Sequence, residues 1–308
     1  MPEMNLAEKI VDAAKRLDAD IVTFGGAERF SGTAAEKICP NLGTVICMGF
    51  RVLRGSHLGI EEGSTFYQYT TTGVETLEET VMPLALLRVS AVLEDEGYMA
   101  YPQKKQHLIL KSEDDVNPEA DWKECYAVPQ ELQLDFGEAA VLCGAGEMGM
   151  SGSVLTPEFG PFVRWCFILT DAVLPETALC PQTLCDKCGR CVKACPGHAL
   201  SEDGTLDRWQ CAAYYRGANR SRNPFMPPEA YEEFPDREEI MNGTARLTPE
   251  KARKVINATW FYPAIKQGYP ACICGKACDA ACYAALEARG VLTKKYVMAY
   301  RHIEPWKL

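Results

Sequence analysis

The stretch CDKCGRCVKACP, Cys185 to Pro196, sets four cysteines at the spacing C-x2-C-x2-C-x3-C and follows the last of them at once with proline. That is a spacing by which thiolates hold 4Fe-4S clusters. Three sulfurs on a tight loop cap three corners of one cubane, while the fourth, at the start of the next element, faces away and serves a second cluster. The run therefore predicts a second cysteine group, and the chain supplies Cys272, Cys274, Cys278 and Cys282, with Cys211 between the groups. Crossed ligation assigns Cys185, Cys188, Cys191 and Cys282 to one 4Fe-4S cluster and Cys195, Cys211, Cys274 and Cys278 to another, with Cys272 as the substitute for Cys274. Zinc also takes short cysteine spacings, but the four-cysteine run closed by Pro196 is far more specific to iron-sulfur chemistry.

Outward from that run, the 308 residues are 47% hydrophobic and 24% charged, enough to bury a full core in one large domain or two moderate ones. Ten of the 15 cysteines fall at or after Cys180, a clustering that metal ligation explains better than disulfides. The five earlier ones, Cys39, Cys47, Cys125, Cys143 and Cys166, read as small buried apolar side chains. Forty-two acidic against 32 basic residues give a net charge of −10, which disfavours a large nucleic-acid footprint. The one small basic patch is Arg216, Arg220 and Arg222 beside Tyr214 and Tyr215, and it reads as a solvated loop. No secretory signal and no membrane-spanning apolar stretch is visible, so the expected compartment is cytoplasmic.

Toward the N-terminus, Asn5 with Glu8 three residues on resembles a capping box, and Ile10, Val11, Ala14 and Leu17 recur at helical spacing. Asp20 to Phe24, Gly43 to Phe50 and Phe162 to Leu169 read as buried strands. Thr76 to Leu93 reads as a helix that Pro83 must kink or restart. Leu108 to Leu110 is a short strand candidate, and Lys111 to Trp122 reads as an exposed acidic loop. Helices alternating with strands argue for an α/β layer fold. Beyond Pro175 cysteines, prolines and turns replace the periodicity, which divides the chain into residues 1–172, an α/β domain for a cofactor or substrate, and 173–308, a ferredoxin-like double-cluster domain. The latter has few apolar runs, so metal ligation is expected to supply much of its folding free energy.

Residues Ala139 to Asp171, AAVLCGAGEMGMSGSVLTPEFGPFVRWCFILTD, together with CDKCGRCVKACP, the LDRWQC segment around Cys211 and the late cysteine group, resemble the corresponding segments of epoxyqueuosine reductases and cobalamin-dependent reductive dehalogenases. The resemblance covers roughly residues 1 to 285 and is specific in its second half. It implies an N-terminal α/β domain (nitroreductase-like, corrinoid-type), followed by a bacterial-ferredoxin-like two-cluster domain that reduces the corrinoid. By that resemblance Gly144, Gly146, Gly149 and Ser151 line the cobalamin's nucleotide tail. The G-x-G-x-x-G spacing alone also matches a dinucleotide fingerprint, but no acidic residue follows a second strand about 20 positions on, as that pattern needs.

The chain also departs from these families. The acidic proton donor of epoxyqueuosine reductases falls at Gln130, with Asp135 nearby but out of register. Epoxyqueuosine reductases act on tRNA, which the charge of −10 disfavours. Reductive dehalogenases are usually exported with a twin-arginine leader, which this chain does not show, and use a tyrosine with a basic partner. Tyr67 and Tyr69 are the tyrosines to test first. None of His57, His107, His198 and His302 sits in a D-x-H-x-x-G arrangement, and all read as surface or internally satisfied side chains. The expected function is an iron-sulfur oxidoreductase passing single electrons through two 4Fe-4S clusters to a corrinoid or a substrate in the α/β domain. The alternative is a non-catalytic electron-transfer protein or a reductive activator of a partner corrinoid protein. An electron donor such as a ferredoxin or flavodoxin is the expected partner, with no membrane.

Overall fold

The computed structural model describes residues 4–61, 68–104, 132–259 and 273–301. The first helix, α1 (Leu6–Lys15), starts as its sequence dictates. Asn5 Oδ1 accepts from the Glu8 N–H at 3.0 Å and Glu8 Oε2 accepts from the Asn5 N–H at 2.9 Å, satisfying two otherwise unpaired donors. Strand β1 (Ile21–Gly26) follows, then the short α2 (Ala34–Ile38), β2 (Thr44–Arg51) and α3 (Arg54–Glu61). A single turn, α4 (Gln68–Thr70), leads through two π-helical turns at Thr71–Glu75 and Leu77–Val81 into α5 (Met82–Asp95). Pro83 stands in the first turn of α5, where a missing N–H costs nothing, so proline restarts the helix as expected. Strand β3 (Ala100–Gln103), α6 (Phe136–Leu142), the short β4 (Glu147–Met148) and β5 (Val154–Leu155), and β6 (Val163–Thr170) complete this half.

The main sheet runs β1-β2-β6-β3 with every neighbouring pair antiparallel. Strand β2 lies inside it, and both of its faces are covered. Ile46, Met48 and Phe50 meet Ile10 and Ala14 of α1 and Leu86, Val89 and Leu93 of α5. Val45 and Cys47 point the other way, against Phe30 and against Ala139, Ala140 and Cys143 around α6. Two-sided burial is why β2 is a continuous apolar run rather than an alternating one. The expected layering of helices on a sheet is present, in a mixed α/β arrangement whose strands are antiparallel. Cys39, Cys47, Cys143 and Cys166 are all buried, as read, while Cys125 and the stretch Leu108 to Trp122 lie outside the described residues.

The second half is helical: α7 (Arg190–Ala194), α8 (Arg208–Tyr215), α9 (Arg237–Asn242), α10 (Pro249–Ala258) and α11 (Ala277–Ala288). It holds an apolar core of its own, although its apolar runs are sparse. Trp209, Ala213 and Tyr214 of α8 pack with Ile240 and Met241 of α9 and with Ala252, Val255 and Ile256 of α10. Short helices scatter these residues through the sequence, so no run reveals them. Tyr214 belongs to this core, its hydroxyl donating to Ile240 O at 2.9 Å, and offers no stacking face beside the arginines. A further core joins the halves: Val52, Ile60, Tyr69, Leu155 and Phe162 pack with Leu184, Ala280, Tyr283, Leu286 and Tyr300.

Candidate iron-sulfur site

The first two cysteines of the run lie on a loop that turns through two left-handed residues, Lys187 (φ 56°) and Gly189 (φ 70°), before α7 carries Cys191. The helix stops at Cys195, whose backbone is extended, because Pro196 disfavours the helical region for its predecessor. Cys195 is thereby turned away from its three neighbours. Helix α11 packs against α7 and brings Cys278 and Cys282 one turn apart along one stripe.

The thiol of Cys282 stands beside those of Cys191, Cys185 and Cys188. The thiol of Cys211 stands beside those of Cys274 and Cys195, and that of Cys278 beside those of Cys274 and Cys211. These neighbour relations fall into two sets, Cys185, Cys188, Cys191 and Cys282, and Cys195, Cys211, Cys274 and Cys278. Cys272 lies outside the described residues. Burial pushes the Cys211 thiol up to about 12 and drives Cys278 and Cys282 well above the ordinary thiol range. Thiols this buried ionise only against a compensating positive charge, which cluster iron supplies. Among the described residues no three His, Cys, Asp or Glu side chains converge closely enough to hold a single metal ion. A cubane's ligands stand around a whole cluster rather than one atom, so the sulfur donor set fits 4Fe-4S chemistry.

The glycine turn touches the first group. The Met150 N–H donates to Cys185 Sγ at 3.4 Å, and the Ala199 N–H donates to Cys195 Sγ at 3.3 Å in the second group. Hydrogen bonds to sulfur are one determinant of cluster potential. Glu147, in the middle of GAGEMG, is only 1% exposed. Its carboxylate accepts from the N–H groups of Thr183 (2.6 Å), Leu184 (3.0 Å) and Cys185 (2.5 Å). It clamps the start of the cysteine loop to the sheet half, a role that sequence reading missed because a glutamate inside a glycine turn looks like filler. In the direction a Cβ would take, the glycines are filled by the chain itself. A Cβ on Gly144 would lie 2.3 Å from Ala178 O, one on Gly146 2.3 Å from Leu155 O, and one on Gly149 3.0 Å from the Leu155 side chain. Ser151 Oγ is buried with no hydrogen-bond partner among the described residues.

Between the halves lies a buried polar set that sequence reading also missed. His57 is stacked on Phe162 with ring centroids 3.9 Å apart, and Phe162 stacks in turn on Tyr283 at 4.4 Å. Its Nδ1 faces Gly275 O at 3.3 Å, and burial lowers its pKa to about 3, leaving a neutral ring. It is therefore an internally satisfied histidine. Asp279, 3% exposed, accepts from Ser153 Oγ at 2.6 Å and pairs with Lys276 Nζ at 3.0 Å. Burial raises the Asp279 carboxyl, but the Lys276 ammonium and the Ser153 hydroxyl oppose it and the group is held below the usual range. The facing carboxylate holds the Lys276 ammonium well above the usual lysine range. Tyr69, also buried, accepts from Arg164 Nη2 at 2.6 Å, and Arg164 Nη1 faces the buried Glu78 at 3.5 Å. Tyr67 and Gln130 lie outside the described residues. Asp135 caps α6, accepting from the Gly137 and Glu138 N–H groups.

A family model described as a 4Fe-4S binding domain matches residues 182–201. The chain is also similar to curated epoxyqueuosine reductases. It is 28% identical over 114 residues to that of Synechococcus sp. (strain RCC307), covering 37% of this chain and 34% of the relative. This chain spans about a third of the length of the curated relatives it matches. Among solved structures, an epoxyqueuosine reductase from Streptococcus thermophilus is similar at 15% identity with a TM-score of 0.45, over 72% of this chain and 60% of that one. A catabolic reductive dehalogenase is similar at 17% identity with a TM-score of 0.49, over 82% of this chain and 35% of that one. No helix among the described residues is long and apolar enough to cross a membrane.

Proposed function

We propose that this chain is an iron-sulfur oxidoreductase whose residues 173–308 carry two 4Fe-4S clusters and pass single electrons to an acceptor held against residues 1–172. The observation that carries this reading is the division of eight thiols into Cys185, Cys188, Cys191, Cys282 and Cys195, Cys211, Cys274, Cys278. Cys188 is the exposed member and is flanked by the exposed Lys187 and Arg190. A donor of ferredoxin or flavodoxin type, acidic on its contact face, reaches the first cluster there. Tyr69, polarised by Arg164 and buried between the halves, is the candidate proton donor at the acceptor end.

A cobalamin would supply a strongly reducing metal centre, but the glycine turn does not fit its nucleotide tail as the resemblance implies. Gly144 and Gly146 are closed by backbone of the chain and Gly149 by the Leu155 side chain, so no step is routed through that group. This closure favours a second reading, an electron carrier or reductive activator that hands electrons to a partner protein. Two measurements on anaerobically purified protein test these readings. Iron and sulfide should each be about eight per chain, and a value near four removes one cluster from the account. Titration of the reduced protein with cobalamin should show no base-off conversion. Near-stoichiometric conversion would overturn the judgement on the glycine turn.

A further inference from the structure

A cleft of about 410 Å³ opens at the seam between the halves, and none of the candidate cluster cysteines lines it. Arg51, Arg54, Phe159 and Phe162 line it from the sheet half and Tyr283 and Tyr296 from the helical half, with no carboxylate among its lining residues. Its cations rest on its rings. The Arg54 guanidinium lies over Tyr296 at 4.1 Å, that of Arg51 over Phe159 at 5.9 Å, and Lys294 Nζ stands 5.7 Å from Phe159 and 5.9 Å from Tyr296. Small-molecule sites have this size and this make-up, apolar walls with a few placed polar groups. Two of the lining residues carry a buried donor with no partner among the described residues: Arg54 at Nε, and Tyr283, only 1% exposed, at its hydroxyl. Unmade buried donors are costly, so each calls for an acceptor. Arg54 Cζ lies 5.6 Å from the Tyr283 ring centroid, which puts the two donors on neighbouring side chains. Charge decides the kind of acceptor. Arg51 is offset by Asp20 at 3.4 Å and Arg54 by Glu287 at 3.0 Å, while Lys294 has no ion pair among the described residues. Three cations against two carboxylates leave a single net positive charge around the cleft.

We propose that this cleft binds a small organic monoacid, its carboxylate accepting from Arg54 Nε and the Tyr283 hydroxyl and its apolar body lying against Val52, Leu53 and Phe159. A carboxylate turns both orphan donors into charge-assisted hydrogen bonds, the strong kind. A neutral molecule brings no charge to meet them, and a phosphate dianion finds only one uncompensated cation. The Lys294 ammonium adds attraction from the side of Phe159. Binding draws on both halves and on no cluster, so the proposal stands or falls apart from the electron-transfer reading.

The test is equilibrium dialysis of the full-length, anaerobically purified protein against 2-naphthoate, read by naphthalene fluorescence in the protein-free chamber. 2-Naphthoate should bind once per chain, and 2-naphthamide, equal in shape but uncharged, should bind at least about tenfold more weakly. Tyr283→Phe keeps the ring on Phe162 and removes only the hydroxyl, and it should weaken 2-naphthoate roughly tenfold. Lys294→Gln should weaken it roughly two- to fivefold. Arg54→Gln should weaken it most. Because Arg54 also holds Glu287 and Met298 O, Tyr283→Phe decides should that variant fail to fold. No uptake at about 1 mM 2-naphthoate, equal affinity for the amide, or unaltered affinity in Tyr283→Phe would overturn the proposal. Displacement of 2-naphthoate by an equal concentration of inorganic phosphate would overturn it as well, by making the site one for inorganic anions.

Discussion

His57 and Glu147 show how much hangs on single buried polar atoms. The folded chain holds His57 neutral down to about pH 3, whereas an exposed imidazole titrates near 6.5. Between those values the unfolded chain binds a proton that the folded one refuses. Stability therefore rises with pH across that window and is lost as pH falls through it. Denaturant titrations at stepped pH should show a slope of about 1.4 kcal/mol per unit from this group, and His57→Phe, which keeps a ring against Phe162, should flatten it. An unaltered slope would mean that His57 takes up a proton in the folded state. Glu147→Gln keeps the shape but leaves one carbonyl to serve three N–H donors. Charge-assisted hydrogen bonds contribute roughly 1.5–3 kcal/mol each, so the variant should unfold earlier and hold less iron, read by thermal melts and iron assay.

At the scale of elements, α7 and α11 would carry the proposed crossed ligation, and a double variant tests it. Replacing Cys191 and Cys195 together by serine removes one thiol from each group if the ligation crosses, so both clusters should be lost. Were the four-cysteine run to hold a single cluster, about four irons would remain. At the other end of the chain, Asn5→Ala should cost about 1 kcal/mol by removing the cap of α1, measurable by chemical denaturation. Elements with strong local signals were legible in the sequence: α1 through its capping box, and β2 and β6 through their apolar runs. Less was legible where the cause is tertiary. Antiparallel pairing of β2 with β6 joins strands more than a hundred residues apart, and the π-helical turns before α5 follow the same apolar rhythm as an ordinary helix. Cys278 and Cys282 were readable as candidate ligands, but Lys276 and Asp279 beside them look like surface charges until α11 is packed against α7 and α3.

For the whole molecule, the core shared by both halves decides what can stand alone. Leu184, Tyr283, Leu286 and Tyr300 are buried against Val52, Tyr69 and Phe162, and each such side chain contributes about 1.5–3 kcal/mol on burial. Residues 173–308 expressed alone should therefore bind hydrophobic dye and aggregate, even when supplied with iron and sulfide, whereas the α8–α10 core should keep helical circular dichroism. Soluble, dye-silent material would show that the shared core is dispensable. The Glu147 clamp has a temporal consequence as well. On the ribosome the sheet half, Glu147 included, emerges before the cysteine loop it grips, and Cys282 follows last. A nascent chain thus presents Cys185, Cys188 and Cys191 before Cys282, the fourth member proposed for their group, has been made.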